Sequence, residues 1–299
     1  MKGIILAGGF GTRLFPLTKV VSKHLLPVYD KPMIYYPLST LMMAGIRDIL
    51  VISTPSDLDK YRALLGDGAQ LGLKIEYVLQ PHPKGVAEAL IIGKSFTADE
   101  NFALILADNI FFGSGLGQSL SELYFDGGSL IFGYKVSNPS DYGVVLLDKS
   151  GSIISLEEKP SFPKSDIAIP GFYFFDKYAY RYATEIQASS RGELEIVSIL
   201  NKYLNNDTLN IVNLPRGTTW MDAGTIDALL ESSLFVRSIE QRQGFKISCP
   251  EEIAWRNNWI SNRELGLLAI ESSNVEYKKY LLSLLGVKEM YTNGLRDYK

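Results

Sequence analysis

A glycine-rich segment near the start of the chain has the residue types of a phosphate-binding loop. Gly8, Gly9 and Gly11 follow a short apolar run that predicts a buried strand. Residues without a Cβ let several backbone N–H groups converge on one anion, although glycines alone fit a chain-reversing turn equally well. Arg13 favours binding, because a guanidinium beside such a loop pairs with phosphate oxygens in a bidentate way. With Lys23 as a second cation, the segment predicts a polyphosphate site.

Neither of the two common nucleotide-binding motifs fits this loop. A Walker-type loop requires G-x-x-x-x-G-K-[ST], and a dinucleotide-binding loop requires a third glycine that opens a helix. Here Thr12, Arg13 and Leu14 follow the glycines, and Pro16 comes soon after. A nicotinamide-dependent oxidoreductase with a Rossmann-type site is therefore only a remote alternative.

Two aspartates are candidates for binding a hard cation. Asp108 follows an apolar run that predicts a buried strand, and Asp222 lies in a Trp-Met-Asp-Ala-Gly segment that predicts a short loop. Each aspartate alone is more typical of a helix cap or a turn. Carboxylates from two separate elements, completed by phosphates and water, would suit Mg²⁺, which rarely receives an all-protein cage.

The composition argues against several functional classes. The 299 residues include 30 Lys and Arg and 33 Asp and Glu, a formal charge of −3, so no polycationic surface for a nucleic acid is indicated. One cysteine, Cys249, and two histidines leave no disulfide framework and no Cys- or His-based zinc site. The apolar runs are too short for a secretory signal or for the roughly 18 to 20 residues that span a bilayer. We therefore expect a soluble, cytoplasmic protein with no nucleic-acid and no membrane partner.

The order of predicted elements indicates an α/β fold that would gather these residues at one edge of a sheet. The first part of the chain alternates strands and helices: strands at 4–7, 49–52, 74–79 and 103–106, and helices at 32–44 and 86–96. Such alternation implies a Rossmann-like, mostly parallel mixed sheet with helices on both faces. Ligands bind beyond the carboxyl ends of such strands, where the glycine loop and Asp108 are expected.

The later part of the chain is predicted to be strand-rich and then helical. Its predicted elements are strands at 130–136, 144–147, 153–156 and 172–175, and helices at 196–204, 225–240 and two or three within 251–285. The strands indicate an adjoining mixed sheet. We divide the chain into an α/β domain at 1–240, with parts at 1–128 and 129–240, and a C-terminal helical appendage at 241–299.

Motifs along most of the chain carry a resemblance to a known family. The glycine loop and Glu-Lys-Pro at 158–160 are typical of sugar-phosphate nucleotidyltransferases, and Asp-Lys-Pro-Met-Ile-Tyr-Tyr-Pro at 30–37 is typical of their thymidylyl branch. Further matching segments are 65–68, 108–111, 142–144, 191–196, 220–225 and 249–254. The chain thus resembles the glucose-1-phosphate thymidylyltransferases, up to about residue 260.

The resemblance implies an enzyme that forms dTDP-glucose and pyrophosphate from dTTP and α-D-glucose 1-phosphate, with Mg²⁺ as cofactor. Asp108 and Asp222 would hold the metal ion. Arg13 would contact the triphosphate and stabilise the transition state. Lys23 would contact the α-phosphate and Lys159 the sugar phosphate, so each cation neutralises an anion that is otherwise repelled.

The resemblance also assigns the two substrate pockets, with 1–128 binding nucleotide and 129–240 binding sugar. Gln80 and Gly85 would recognise the base, because an amide offers a donor and an acceptor to a pyrimidine edge. Thymine and uracil differ by one methyl group, so some use of UTP is expected. The implied nucleotide-binding residues are Gly8, Gly9, Gly11, Thr12, Arg13, Lys23, Gln80, Gly85 and Asp108. The implied sugar-binding residues are Tyr142, Gly143, Glu158, Lys159, Ile169 and Gly171.

Regulation and assembly are implied in the same way. A homotetramer is expected, with a second, regulatory nucleotide site at Arg216, Gly217, Glu252 and Arg256. His24, beside the phosphate lysine, stands where the family usually has Gln and could add pH dependence. The alternatives are a uridylyl- or other sugar-1-phosphate nucleotidyltransferase, the oxidoreductase above, and a non-catalytic sensor. A sensor would be expected to have lost metal or phosphate ligands, which this chain retains.

Overall fold

The computed structural model describes residues 1–98 and 100–286, which form a mixed β-sheet with helices on both faces. The strands are β1 (Lys2–Ala7), β2 (Pro27–Val28), β3 (Lys31–Pro32), β4 (Asp48–Ser53), β5 (Lys74–Leu79), β6 (Phe102–Leu106), β7 (Asn109–Phe112), β8 (Ser129–Lys135), β9 (Gly143–Leu147), β10 (Ile153–Glu158), β11 (Ile167–Ala168), β12 (Phe172–Phe175), β13 (Leu209–Asn213) and β14 (Thr219–Asp222). The helices are α1 (Tyr35–Met43), α2 (Leu58–Leu65), α3 (Glu88–Ile92), α4 (Lys94–Thr97), α5 (Leu116–Ser121), α6 (Ala179–Glu185), α7 (Ile196–Asn205), α8 (Ile226–Gln243), α9 (Pro250–Arg256), α10 (Asn262–Glu271) and α11 (Val275–Leu284).

Ten of the described strands build one continuous sheet in the order β10-β9-β11-β8-β12-β6-β1-β4-β5, with β13 also paired to β8. The four strands β6, β1, β4 and β5 are parallel to one another. Strand β12 then joins β6 in antiparallel orientation, with Phe172 opposite Ile105. The predicted mixed sheet is confirmed, but the expectation of a second, adjoining sheet is wrong, because β12 extends the first sheet directly.

Alternating side chains of the central strands belong to two hydrophobic cores, one on each face of the sheet. Ile4 and Leu50 belong to the core under α3, α6 and α7, whereas Ile5 and Val51 belong to the core under α1, α2 and the C-terminal helices. All four are fully buried. Near-continuous apolar strands are what a sheet covered on both faces requires, and this rigid layer fixes the loops at its carboxyl edge.

Two smaller strand pairs, β2–β3 and β7–β14, lie beside the sheet. Strands β2 and β3 form a hairpin in which Pro27 faces Pro32. The helix predicted at 32–44 therefore begins only at Tyr35, since Pro32 belongs to the hairpin. Strand β14 pairs with β7 in antiparallel orientation, with Asp222 opposite Asn109.

The C-terminal helices α9, α10 and α11 pack on the sheet domain, and three helices within 251–285 match the sequence expectation. Ala254 and Leu265 share one hydrophobic core with Leu41 of α1. The part of the prediction that extends over 287–299 lies outside the described residues. Within the described ranges, no helix has the length and hydrophobicity needed to cross a membrane.

Candidate active site

The glycine loop leaves the carboxyl end of β1 and contains two glycines whose surroundings leave no room for a side chain. A Cβ on Gly8 would lie 1.7 Å from Oε1 of Gln80, so the amide of Gln80 fills that space. Gly11 has a φ of +62°, and a Cβ there would lie 2.8 Å from Cγ2 of Thr18 and 3.0 Å from Cβ of Lys23. These close approaches bring Lys23 and Gln80 against the loop.

The remaining loop residues face solvent. A Cβ on Gly9 would meet no atom within 4 Å, and Thr12 and Arg13 are exposed. The loop ends in a single 3-10 turn, Thr12–Leu14. Because a turn follows the third glycine rather than a helix, the loop does not have the geometry of a dinucleotide-binding site.

The two aspartates are brought together by the pairing of β7 with β14. Asp108 occupies the turn between β6 and β7, and Asp222 is the last residue of β14, opposite Asn109. The prediction that Asp222 lies in a loop is therefore wrong at this position. We call Asp108 and Asp222 the carboxylate pair.

Lys23 forms an ion pair with Oδ2 of Asp108, although both side chains are largely buried. Nδ2 of Asn109 donates to the other carboxylate oxygen at 2.9 Å. Burial alone would raise the pKa of Asp108, but the ammonium of Lys23 and the hydrogen bonds outweigh it and hold that pKa below its ordinary value. Asp108 is therefore ionised at neutral pH.

His24 is buried beside Lys23 and stays neutral. Its Nδ1 lies 3.2 Å from the hydroxyl of Tyr61. Burial, and then the charge of Lys23, lower the pKa of His24 to about 3. The expectation that His24 adds pH dependence near neutrality is contradicted, because its proton is lost far below pH 7.

The pKa of Asp222 is shifted in the opposite direction to that of Asp108. Its Oδ1 is buried and has no hydrogen-bond partner among the described residues. Burial, and then the neighbouring charge of Asp108, raise the pKa of Asp222 to about 7. An orphaned carboxylate oxygen beside an ionised carboxylate is a place where an added cation gains free energy.

Arg13 reaches the same place from the glycine loop. A Cβ added to Gly224 would lie 2.8 Å from Nη2 of Arg13 and 2.8 Å from Oδ1 of Asp222. Because Gly224 has no side chain, the guanidinium of Arg13 and the carboxylate of Asp222 can both come close to this residue. The structure brings together Arg13, Lys23, Asp108 and Asp222, which come from three widely separated parts of the chain.

The donor set of the carboxylate pair fits Mg²⁺. The orphaned oxygen of Asp222 and the ionised carboxylate of Asp108 are hard anionic ligands from two elements. Mg²⁺ is usually bound in this way, by one or two carboxylates with substrate phosphates and water in the remaining positions.

One candidate base-binding residue, Gln80, lies against Gly8 of the glycine loop, and the other, Gly85, approaches Leu194. Gln80 is buried, and its Nε2 donates to Oε2 of Glu88 at 2.7 Å. Gly85 has a φ of +113°, and a Cβ there would lie 2.5 Å from the carbonyl oxygen of Leu194. The close backbone approach to Leu194 explains the glycine structurally. Glu88 was missed by sequence reasoning, since a single Glu at a helix start gives no local signal.

The candidate sugar-binding residues lie close together around the β9–β10 strand pair. Gly143 and Glu158 are opposite each other in the β9–β10 pair, and the backbone N–H of Ile169 donates to the carbonyl of Gly143 at 2.8 Å. Lys159 follows with a φ of +43°, and its N–H donates to the carbonyl of Tyr142 at 3.0 Å. Its side chain is exposed.

Asn109 connects the candidate sugar-binding residues to the carboxylate pair. Its Oδ1 accepts from the N–H of Gly171 at 2.8 Å and from Nε1 of Trp220 at 2.6 Å. The ring of Tyr142 lies edge-on to Trp220, with 4.9 Å between centroids. Asn109 therefore holds the Gly171 segment and the Asp108 turn in one arrangement. Sequence reasoning assigned no separate role to Asn109.

Arg191 lies beside the candidate sugar ligand Glu158, and sequence reasoning left it without a role. Its Nη2 donates to Glu158 at 3.1 Å and to Glu195 at 2.8 Å. Burial, and then the charge of Glu195, raise the pKa of Glu158. Arg191 is partly exposed beside this candidate sugar ligand, so it places a positive charge next to Glu158.

Two of the four candidate regulatory residues line a separate cavity of about 410 Å³ beyond the far end of β7. Glu252 and Arg256 line it, and Nε of Arg256 donates to Glu252 at 2.7 Å. Arg216 and Gly217 precede Thr218, which contacts Gly113 of the cavity wall. Strand β7 runs from the carboxylate pair to this cavity.

Comparisons with known proteins agree with this architecture. The family profile described as Nucleotidyl transferase matches residues 2–239. The chain is 53% identical over 285 residues to a glucose-1-phosphate thymidylyltransferase of Mycolicibacterium smegmatis, covering 95% of this chain and 99% of that protein. It is 49% identical over 286 residues to the protein of that name from Neisseria meningitidis, with 95% and 99% covered.

A solved structure agrees as well. A Bacillus anthracis protein, provisionally named a glucose-1-phosphate thymidylyltransferase and crystallised with a sucrose, superposes with a TM-score of 0.73 at 37% identity over 80% of this chain and 96% of that chain. The chain therefore belongs to the nucleotidyl transferase family and, within it, to the glucose-1-phosphate thymidylyltransferases.

Proposed function

We propose that this protein transfers a thymidylyl group from dTTP to α-D-glucose 1-phosphate and releases dTDP-glucose and pyrophosphate. The observation that carries the proposal is the convergence of Arg13 and Lys23 on the carboxylate pair at the carboxyl edge of the sheet. Two fixed cations and two carboxylates around one point suit phosphoryl chemistry, where catalysis is mainly positioning and charge stabilisation. The relatives' shared name supports the choice of substrates.

In this proposal the two parts of the α/β domain bind different substrates. Residues 1–128 bind dTTP: Gln80 and Gly85 at the base, and Gly8, Gly9, Gly11 and Thr12 along the phosphates. Residues 129–240 bind the sugar phosphate with Tyr142, Gly143, Glu158, Ile169 and Gly171. The hydrogen bond from Gly171 to Asn109 supports a fixed distance between the two substrates. Within the predicted appendage at 241–299, the described helices α9, α10 and α11 pack on the sheet domain.

The sugar phosphate oxygen attacks the α-phosphorus in line, and pyrophosphate leaves on the opposite side. Lys159 neutralises the attacking phosphate, and Lys23 exchanges part of its contact with Asp108 for an α-phosphate oxygen. Arg13 stabilises the charge that grows toward the leaving group. Mg²⁺ held by Asp108 and Asp222 would add charge neutralisation at the α-phosphate. No nucleophilic side chain is needed.

The proposal extends to regulation and assembly. Arg216, Gly217, Glu252 and Arg256 would bind a nucleotide at the cavity beyond β7, and the protein would be a cytoplasmic homotetramer. Ile226, Leu230 and Leu234 support an assembly, because they form one stripe along α8 while being 48%, 58% and 54% exposed. A buried single cysteine, Cys249, suits a reducing compartment.

A substrate matrix tests the proposal. Pyrophosphate release is measured with dTTP, UTP, dCTP, CTP, ATP and GTP against glucose 1-phosphate and related sugar phosphates, in the presence of Mg²⁺. We expect the highest kcat/KM for dTTP with glucose 1-phosphate, and weaker use of UTP. Turnover with UTP or CTP far above that with dTTP contradicts the assignment.

A further inference from the structure

The amide of Gln80 is held in one place beneath the glycine loop. The residue is 1% exposed, and its Oε1 lies 1.7 Å from the point that a Cβ on Gly8 would occupy. Its backbone N–H donates to the carbonyl of Ser53 at 2.7 Å. Oε1 therefore lies beside the glycine loop and Nε2 lies beside Glu88, and the second N–H of Nε2 stays available next to Oε1.

Glu88 determines the orientation of the Gln80 amide group. Its Oε2 accepts from Nε2 of Gln80 at 2.7 Å and from the backbone N–H of Lys84 at 3.0 Å. An ionised carboxylate only accepts hydrogen bonds. If the amide of Gln80 were flipped, two acceptor oxygens would meet inside a buried site, which costs free energy. The orientation thus follows from the chemistry of Glu88.

We propose that Glu88 is a specificity-determining positioning residue, which locks the amide of Gln80 in the orientation that accepts thymine or uracil and rejects cytosine. The inference deepens the proposed function and rests on the role of Gln80 in base binding. Glu88 itself acts through Gln80 and needs no contact with the nucleotide.

The hydrogen-bonding edges of the pyrimidines explain the effect. Thymine and uracil present an N3–H donor beside the O4 acceptor, which complement an amide oxygen and an amide N–H in a fixed order. Cytosine presents an N3 acceptor beside an N4 amino donor, which is the reverse order. A fixed amide would place donor against donor and acceptor against acceptor on cytosine, whereas an amide free to flip would bind either base.

The test compares two substitutions of Glu88. Glu88→Met keeps the length of the side chain but removes the acceptor, so the amide of Gln80 is free to flip. Glu88→Gln keeps an oxygen that can accept from both Gln80 and Lys84. The matched control is Glu76→Gln, which removes an exposed carboxylate that pairs with Lys74 on β5. Dissociation constants for dTTP, dUTP and dCTP are measured by calorimetry with Mg²⁺, and melting curves verify that each variant is folded.

We expect wild type to bind dTTP more tightly than dCTP, and Glu88→Met to reduce that ratio by about tenfold or more. Glu88→Gln and Glu76→Gln should keep the wild-type ratio. The ratio of dTTP to dUTP should stay the same in all four proteins, because both bases present the same edge. A purely structural role of Glu88 would weaken all three nucleotides together.

An unchanged dTTP to dCTP ratio in Glu88→Met overturns the inference, as does equal binding of the two nucleotides by wild type. Turnover with glucose 1-phosphate is measured separately on the same proteins. If the binding ratio responds to Glu88→Met but no dTDP-glucose forms, the proposed function fails while the role of Glu88 stands. If dTDP-glucose forms and the ratio does not respond, only the role of Glu88 fails.

Discussion

Two groups of buried charge in this protein differ in how fully their charges are paired. The first is the carboxylate pair with Lys23, where Oδ1 of Asp222 has no partner among the described residues. The second, which we call the four-charge cluster, contains Asp30, Lys31, Glu240 and Lys246 and joins the β2–β3 hairpin to the end of α8. There each ammonium contacts both carboxylates, with distances from 2.5 to 3.2 Å.

The pKa shifts of the carboxylates reflect this difference. In the four-charge cluster burial would raise the pKa of Asp30, but Lys31 and Lys246 hold it below its ordinary value. Burial of Asp222 is reinforced by the charge of Asp108, and its pKa rises to about 7. Complete pairing is typical of charges that hold a fold together, whereas a buried carboxylate short of positive charge indicates a site that takes up a cation.

The largest expected effect is a loss of activity when either aspartate of the carboxylate pair is changed. Asp108→Asn and Asp222→Asn should each lower kcat/KM by about a thousandfold or more, because an amide cannot supply the anionic charge that holds a divalent ion. Asp166→Asn, an exposed aspartate paired with Lys135, is the matched control. Steady-state kinetics at limiting Mg²⁺ measure the effect. Near-normal rates in either site variant would show that the carboxylate pair does not bind the metal.

The four-charge cluster should respond in stability instead. Lys31→Met leaves Asp30 and Glu240 with one ammonium between them, and it should lower the free energy of unfolding by about 3 kcal/mol or more. Urea denaturation measures the change. Adding Glu240→Gln to Lys31→Met should recover part of the loss, since the double variant again has balanced charge. Equal stability of Lys31→Met and wild type would show that pairing in this cluster contributes nothing.

Asp222 should make the metal-free protein less stable as the pH rises. The unfolded chain loses this proton near pH 4 and the folded protein near pH 7, so between these values the folded state holds an extra proton. Its stability therefore falls with rising pH, by up to about 1.4 kcal/mol per pH unit. Urea titrations in EDTA from pH 4 to 8 should show this slope in wild type but not in Asp222→Asn. Above pH 7, adding Mg²⁺ should restore the free energy of unfolding that wild type loses in EDTA. Parallel slopes in the two proteins would contradict the raised pKa.

Sequence reasoning was most effective where a function depends on local pattern. The glycine loop, Lys23 and the strand before Asp108 are continuous segments, and their apolar runs and glycines predict structure directly. The pairing of β14 with β7 was not predicted, because it joins segments far apart in the chain and each strand has only four residues. The helix start at Pro32 was misjudged for the same reason, since the hairpin partner Pro27 decides it.

The missed site residues share another property. Glu88, Asn109 and Arg191 act through contacts with other side chains, so their importance depends on tertiary geometry and not on residue type. The same holds for His24, whose residue type suggests a titration near neutrality, whereas its burial removes it. Local pattern thus proposes candidates for substrate contact, whereas the residues that hold those candidates in place become visible only in the three-dimensional contacts.

The smallest expected effect concerns His24, which tests whether burial or residue type determines the pH profile. An inflection near pH 7 in activity could come from a histidine with its ordinary pKa of about 6.5 or from Asp222, whose pKa is raised to about 7. Because the pKa of His24 is about 3, His24→Gln should leave the shape of the kcat/KM profile between pH 6 and 9 unchanged. A metal ion competes with the proton on Asp222 but not with one on His24, so raising Mg²⁺ should move the inflection to lower pH in both proteins. An inflection that vanishes in His24→Gln and ignores Mg²⁺ would assign the proton to the histidine and remove the contrast between Asp222 and the fully paired carboxylates of the four-charge cluster.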